Sequence, residues 1–359
     1  MGRKTHILLL GPVTNVNFKL VGGATISFGY LVDYLEKSGE NFTLINTHKY
    51  PIRIRPIRGA IHVLLRVLQH IWKTDVIFLN SSRGGTKNLM PLLYILARVF
   101  GKKLVFRPFG GNIKEYTASY SSWRRWIFER TVLKCDILFL QTEALMKHYE
   151  KYDVNTFQLP TSRNQPPEAM LRGKRPYQRR FIYLGFVRED KGMEALIAAR
   201  QALGDDHTLH IYGIMVEKKY EEKFQSVDKD LYKGVLSKAE VLPTLREYDV
   251  LILPTYYGGE GYPGSIIEAY SLGLPVITTR WKSIPEIVRH GYSGRLIDIQ
   301  SNEQLLEAMH FFNESNYGEY SSNARQYFQD RFSTDQVNGQ VLYQIKALLD
   351  TGETALKTN

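Results

Sequence analysis

The sequence predicts two doubly wound α/β domains, each built on a parallel sheet. Three observations predict this. Short apolar runs alternate with segments of helical period along most of the chain, the pattern of strands joined by crossover helices. At 359 residues the chain is long enough for two domains of ordinary size. Residues 159–177, rich in Pro, Arg, Ser and Asn, lack apolar periodicity and read as a linker. The domains are therefore expected at 1–165 and 166–335, with 336–359 forming a closing helix.

Composition narrows the class. Hydrophobic content of 43% and charged content of 23% are those of a soluble globular protein. The single cysteine, Cys135, excludes an internal disulfide, fits a reducing compartment, and reads as a buried structural thiol. No apolar run approaches the ~20 residues that span a bilayer, and Ile7–Leu10 is too short for a signal-peptide core. The net charge of +11 is uneven. Residues 1–165 hold 24 Lys and Arg against 10 Asp and Glu, a net of +14, leaving 23 against 26, a net of −3. A basic half implies an anionic partner. Nucleic acid is not expected, because zinc-finger spacing, RNP-like aromatic strands and basic heptads are all missing.

In the first half, His6–Gly11 is a buried strand, followed by a polar loop, Gly22-Gly23 and a helix over 24–37. Strand, glycine loop and helix N-terminus can face a phosphate. Further strands are expected at Phe42–Asn46, Val76–Asn80, Lys103–Pro108 and Ile137–Gln141, with helices at Leu89–Phe100 and Ser121–Lys134. A helix over Ile57–Trp72 has Ile61, Leu64, Leu65, Leu68 and Ile71 at helical spacing as its apolar face, beside a tract of arginines. Trp123-Arg124-Arg125-Trp126 suits a membrane interface, rings at headgroup depth and cations on anionic lipid. The competing reading packs those tryptophans into the core. Ligands of parallel sheets lie at carboxyl ends of strands, which points to the segments after Asn80, Arg107 and Gln141.

In the second half, Arg180–Gly185 restarts the strand pattern, and Arg188, Lys191 and Gly192 precede a helix through Leu203. A strand at Leu209–Gly213, the turn Gly234-Val235-Leu236-Ser237 and a helix over Lys238–Tyr248 follow. The apolar run Leu251–Pro254 leads into Y-Y-G-G-E-G-Y-P-G-S-I-I-E, a glycine loop opening a helix near Gly264. Amides of a first helical turn and the helix dipole favour an anion there. Ser265-x-x-Glu268 is also a capping-box pattern, which needs no ligand. Leu274–Thr278 and Arg295–Ile299 are strands, and helices over Asn302–Phe312, Glu319–Arg331 and Thr334–Asp350 close the chain. Asp228-Lys229-Asp230 spells D-x-D, a metal motif elsewhere, but reads here as a solvated turn, and no other grouping has metal-ligand spacing.

Glu260-x7-Glu268, within E-G-Y-P-G-S-I-I-E-A and followed by G-L-P-V, resembles the donor-site signature of retaining family 4 glycosyltransferases of bacterial envelope-polysaccharide type. The resemblance implies the GT-B fold, two Rossmann-like domains facing across a cleft. It implies that Glu268 holds the donor ribose, Glu260 faces the donor sugar, and Gly261, Tyr262, Gly264 and Ser265 cradle the diphosphate. Arg188 and Lys191 match the family's basic pair, which grips the leaving diphosphate as its charge grows. Val235 and Leu236 would meet the nucleobase, and Gly22 and Gly23 would approach the phosphates from the first domain. Many members carry a histidine after the strand matching Lys103–Pro108. This chain has Phe109-Gly110-Gly111-Asn112, so that role passes to Gly110, Gly111 or Asn112. A terminal helix from Phe328 to Asp350 is expected to return to the first domain.

The implied reaction moves a sugar from a nucleoside diphosphate sugar, UDP ahead of GDP, to a hydroxyl of a glycan or lipid-linked saccharide, with neither cofactor nor metal. The expected location is cytoplasmic, peripheral on the inner face of the cell membrane, with the basic half on its anionic surface. A sugar-nucleotide epimerase of the same fold, or a non-catalytic nucleotide-sugar-binding subunit, are the alternatives. A dinucleotide oxidoreductase is disfavoured, since Gly11 begins no G-x-G-x-x-G.

Overall fold

The structure is a computed structural model that describes residues 5–13, 23–47, 56–171 and 176–350. The chain divides into two compact units, Met1–Ser162 with Thr334–Asn359, and Arg163–Ser333.

The first unit contains β1 (His6–Gly11), β2 (Asn41–Asn46), β3 (Val76–Ser81), β4 (Lys103–Pro108), β5 (Ile137–Leu140) and β6 (Thr156–Gln158). They form one sheet in the order β2-β1-β3-β4-β5-β6. Every pairing is parallel. Inner strands such as HILLLG and ILFL are buried throughout because both faces are covered. One face packs Leu8, Leu10, Ile77, Leu79 and Phe106 against α2 (Pro56–His70), α4 (Met90–Val99) and α6 (Ser122–Thr131). The other packs Ile7, Leu9, Phe78 and Val105 against α1 (Gly23–Lys37) and α14 (Thr334–Asp350). The remaining helices are α3 (Arg83–Asn88), α5 (Ile113–Ala118) and α7 (Glu143–Tyr149).

Two expectations change here, on α2 and on the terminal segment, and the competing reading of the tryptophans falls. The apolar face of α2 is not the one its spacing suggested. Ala60, Val63, Val67 and Ile71 are buried, while Ile61, Leu65 and Leu68 are exposed. The helix carries apolar residues on two sides, and the sheet takes the small and β-branched stripe. Trp123 and Trp126 do not enter the core; they are 60% and 58% exposed. The segment expected to return as Phe328–Asp350 divides at Ser333. Phe328 and Phe332 stay in the core of the second unit, whereas α14 seats Val337, Val341, Ile345 and Leu348 on the first. Asn338 Nδ2 there donates to the carbonyl of Tyr30 at 3.2 Å. Cys135 is buried, and burial pushes its thiol well above the ordinary range, so it is inert packing.

The second unit contains β7 (Arg180–Leu184), β8 (Thr208–Tyr212), β9 (Tyr232–Gly234), β10 (Val250–Leu253), β11 (Val276–Thr279) and β12 (Gly294–Ile297). Its helices are α8 (Met193–Ala202), α9 (Lys219–Val227), α10 (Lys238–Arg246), α11 (Gly264–Ser271), α12 (Asn302–Phe311) and α13 (Tyr317–Arg331). The strand order is β12-β11-β10-β7-β8-β9, so the sense in which strands are added reverses between the parallel neighbours β7 and β10. At such a switch point the loops leaving the two strands diverge to opposite faces and open a crevice.

Candidate active site

The loops leaving β7 and β10 carry the acids and bases singled out above. After β7 a 3-10 turn spans Glu189–Lys191 and ends at Gly192, whose φ of +82° is left-handed. A Cβ at Gly192 would lie 2.3 Å from the carbonyl oxygen of Pro254, just past β10. Glycine therefore lets the two loops touch. Tyr256 N donates to the carbonyl of Asp190 at 2.8 Å and fastens them together.

Lys191 is buried, and its Nζ donates to Glu260 Oε2. The same oxygen accepts the Thr255 hydroxyl at 2.8 Å. Arg188 Nη2 donates to Asp190 Oδ2 at 2.7 Å. Both cations lie over the ring of Tyr257, Arg188 at 4.9 Å and Lys191 at 4.8 Å from its centre. Tyr257 is steadied by Trp281, whose Nε1 donates to its carbonyl at 2.8 Å. Below them Tyr183 donates its hydroxyl to the carbonyl of Phe186 at 2.7 Å. Burial first, and then the Glu260 and Asp190 carboxylates, hold that phenol protonated well above its ordinary range.

Helix α11 begins at Gly264 with Pro263 as its N-cap and no side-chain cap. The capping-box reading of Ser265 and Glu268 is thereby overturned. Glu268 Oε1 instead accepts from Arg163 Nε at 2.7 Å. Arg163 is buried, and a Cβ at Gly264 would lie 1.9 Å from its Nη2. Gly264 is glycine because a guanidinium rests on it. Gly261 and Tyr262 are buried in the approach to α11, and the Tyr262 hydroxyl donates to Glu286 Oε2 at 2.6 Å. A true capping box occurs elsewhere, at Ser237 and Glu240 of α10.

The structure thus brings Arg188, Lys191, Glu260, Gly261, Tyr262, Gly264, Ser265 and Glu268 to one edge of the second sheet, beyond the carboxyl ends of β7 and β10. Val235 and Leu236 follow the edge strand β9 on that same edge, and Val235 is exposed. The reading of Arg188 and Lys191 as solvated charges fails, because Lys191 is buried against an acid. The D-x-D carboxylates are engaged by cations: Asp228 by Arg200 at 2.7 Å and Asp230 by Lys233 at 2.8 Å. Among the described residues no group of three His, Cys, Asp or Glu could hold a metal ion.

Other predicted residues lie in the first unit. Gly23 opens α1, and Gly22 lies outside the described residues. Gly110, with φ of +102°, Gly111 and the exposed Asn112 form the loop between β4 and α5. Nearby, at the carboxyl ends of β3 and β4, Asn80 and Arg107 are register partners and both buried. Neither amide atom of Asn80, nor Nη1 of Arg107, has a hydrogen-bond partner among the described residues. Burial lowers the guanidinium of Arg107 to about 10.

Sequence reasoning missed Arg163, Thr255, Asp190 and Tyr257. Arg163 stood in a stretch read as linker, and its pairing with Glu268 crosses 105 positions, so no local pattern announces it. The Thr255 and Tyr257 roles were within reach, since both lie between the end of β10 and Glu260.

These two doubly wound parallel sheets are those of the GT-B fold. HepE of Anabaena, crystallised in complex with UDP, aligns at a TM-score of 0.71 and 15% identity, covering 96% of this chain and 100% of that one. Residues 178–312, which hold most of the site, match the family described as Glycosyl transferases group 1. An uncharacterized 41.2 kDa protein in the cps region of Klebsiella pneumoniae is 26% identical over 169 residues, 45% of this chain and 44% of that protein. The amylovoran biosynthesis glycosyltransferase AmsK of Erwinia amylovora is 28% identical over 141 residues, 36% of this chain and 34% of that protein. The chain thus spans less than half the length of these relatives.

Proposed function

We propose that this chain is a retaining glycosyltransferase that moves a sugar from a nucleoside diphosphate sugar, UDP ahead of GDP, to a hydroxyl of a glycan or lipid-linked saccharide of the bacterial envelope. One observation carries the reading. Two cations, Arg188 and Lys191, converge on Tyr257 at the switch point of the second sheet, beside Glu260 and near the uncapped start of α11. That is what a leaving diphosphate requires. As the glycosidic bond lengthens, negative charge grows on the diphosphate, and fixed cations stabilise that state more than the ground state. The two cations supply this charge without a metal. Glu260 keeps the Lys191 ammonium in place and faces the sugar. Glu268, oriented by Arg163, accepts the ribose hydroxyls. Val235 and Leu236 meet the base. The acceptor hydroxyl attacks from the face that the diphosphate leaves, and a diphosphate oxygen takes its proton, which gives retention.

The match of residues 178–312 to group 1 transferases supports this reading. So does HepE, whose structures include one with UDP-glucose. The test is a thermal-shift panel of UDP-, GDP- and ADP-sugars. A ligand at 100 times its dissociation constant stabilises its fold by about 2.7 kcal/mol. We expect UDP-sugars to raise the transition of the wild type and to lose that effect in Lys191→Met. The proposal is overturned if no nucleotide sugar shifts the wild type, or if Lys191→Met responds as the wild type does.

A further inference from the structure

The first unit carries an apolar face that is exposed among the described residues. Helices α2, α4 and α6 share one side of the sheet, their inner residues in a single core. Their outer residues ought to be polar. Instead α2 exposes Ile61, Leu65 and Leu68, and α4 exposes Leu92, Ile95 and Val99. Between them stands Trp72, 77% exposed, its ring edge-on to Phe100 at 5.3 Å. Helix α6 packs on α4 and adds Trp123 and Trp126. Scattered exposed apolar residues are ordinary; eight on these three helices, with Trp72 in the turn after α2, are a patch.

Charge on this layer is predominantly positive, the one acid of its three helices being the half-buried Glu129 of α6. From Pro56 to Phe100 the sole acid is Asp75, which accepts from His6 N at 2.8 Å at the foot of β1. Exposed cations stand among the apolar residues: Arg58 and Arg66 on α2, then Lys73, then Arg124, Arg125 and Arg130 on α6. Two of them stack on the tryptophans, Arg124 on Trp123 at 5.1 Å and Arg130 on Trp126 at 5.0 Å. A second protein would bring a matching apolar face with acids set among it. A bilayer surface brings acyl chains at one depth and phosphates at another, which suits rings and guanidinium groups side by side. No described helix is long and apolar enough to cross a membrane, so the contact is with the surface.

We propose that the outer face of α2, α4 and α6 docks this protein on an anionic lipid bilayer, the inner face of the cell membrane, with the aromatic and aliphatic side chains entering the headgroup boundary. The proposal stands on the first unit alone and does not depend on the donor chemistry of the second.

The chain has four tryptophans, and three of them, Trp72, Trp123 and Trp126, lie on this face. Intrinsic fluorescence therefore reports the contact directly. The full chain is mixed with vesicles of phosphatidylglycerol and phosphatidylcholine, or of phosphatidylcholine alone, and followed by flotation and emission. We expect flotation and a blue shift with the anionic vesicles, both reduced by salt. Arg124→Glu/Arg125→Glu should lower partitioning at least about tenfold. Trp123→Ser/Trp126→Ser should lose most of the blue shift. Both variants should keep the wild-type melting temperature and nucleotide response, since all four positions are exposed. The proposal is overturned if the wild type does not float with anionic vesicles. It is also overturned if the variants float as the wild type does, or if light scattering shows a dimer that the tryptophan variant dissolves, which makes the face a self-association surface.

Discussion

Replacing Lys191 by Met keeps most of the side-chain volume and removes one charge, which isolates the buried pair. In the wild type the ammonium and the Glu260 carboxylate are 11% and 9% exposed at the side chain. Removing one partner of such a pair typically costs about 3–5 kcal/mol, because the survivor keeps its charge without compensation. Here Glu260 retains the Thr255 hydroxyl on the same oxygen, so we expect the low end, about 3 kcal/mol. For a unit of this size each kcal/mol moves the midpoint by about 2–4 °C, so the transition should fall by roughly 6–12 °C. Lys191→Met/Glu260→Gln should be more stable than Lys191→Met. A neutral amide oxygen can still accept from Thr255 and needs no cation. The coupling energy from the four-protein cycle should be about 2 kcal/mol or more. Calorimetry or urea unfolding measures it. Additive single substitutions, or a Lys191→Met loss below about 1 kcal/mol, would refute the argument that these groups neutralise each other in the fold.

Four further outcomes follow from other contacts. Gly264→Ala should destabilise by about 2 kcal/mol despite the helix propensity of alanine, because its Cβ would lie 1.9 Å from Arg163 Nη2 and evict the guanidinium from Glu268. Ser265→Ala should change stability by less than about 0.5 kcal/mol, since Ser265 caps nothing; reversed magnitudes in urea unfolding would restore the capping box. Arg107→Met should leave stability unchanged or raise it by about 1–3 kcal/mol, because a buried cation with no counter-ion among the described residues is exchanged for an apolar chain; a loss above 1 kcal/mol in the same assay would show that the charge is compensated. His210, half-buried with Nδ1 at 2.6 Å from the Tyr248 hydroxyl, is held below its ordinary 6.5, chiefly by burial and then by Lys233. The unfolded chain therefore takes up a proton that the folded chain refuses. The contribution is complete above pH 6.5 and shrinks as pH falls through the depressed value. His210→Gln should flatten the decline of unfolding free energy between pH 7 and 5, and an unchanged slope would count against it.

The sequence by itself determined what local period and chain economy can determine. The apolar runs of β1, β4 and β10 are continuous because parallel strands are covered on both faces, and that signal needs no partner to be read. The glycine loop before α11, with an acid on either side, was legible for the same reason: its residues lie within one short stretch. Tertiary structure decided the rest, wherever an outcome depended on a distant neighbour. Which side of α2 is inside was settled by the sheet beneath it, since the helix offers apolar residues on both. That Glu268 holds a cation rather than capping its helix was settled by Arg163, which reaches it across 105 positions and displaces a local hydrogen bond with a charged one. Lys191 and Glu260, 69 positions apart, are joined because β7 and β10 are neighbours in space and only the sheet order makes them so.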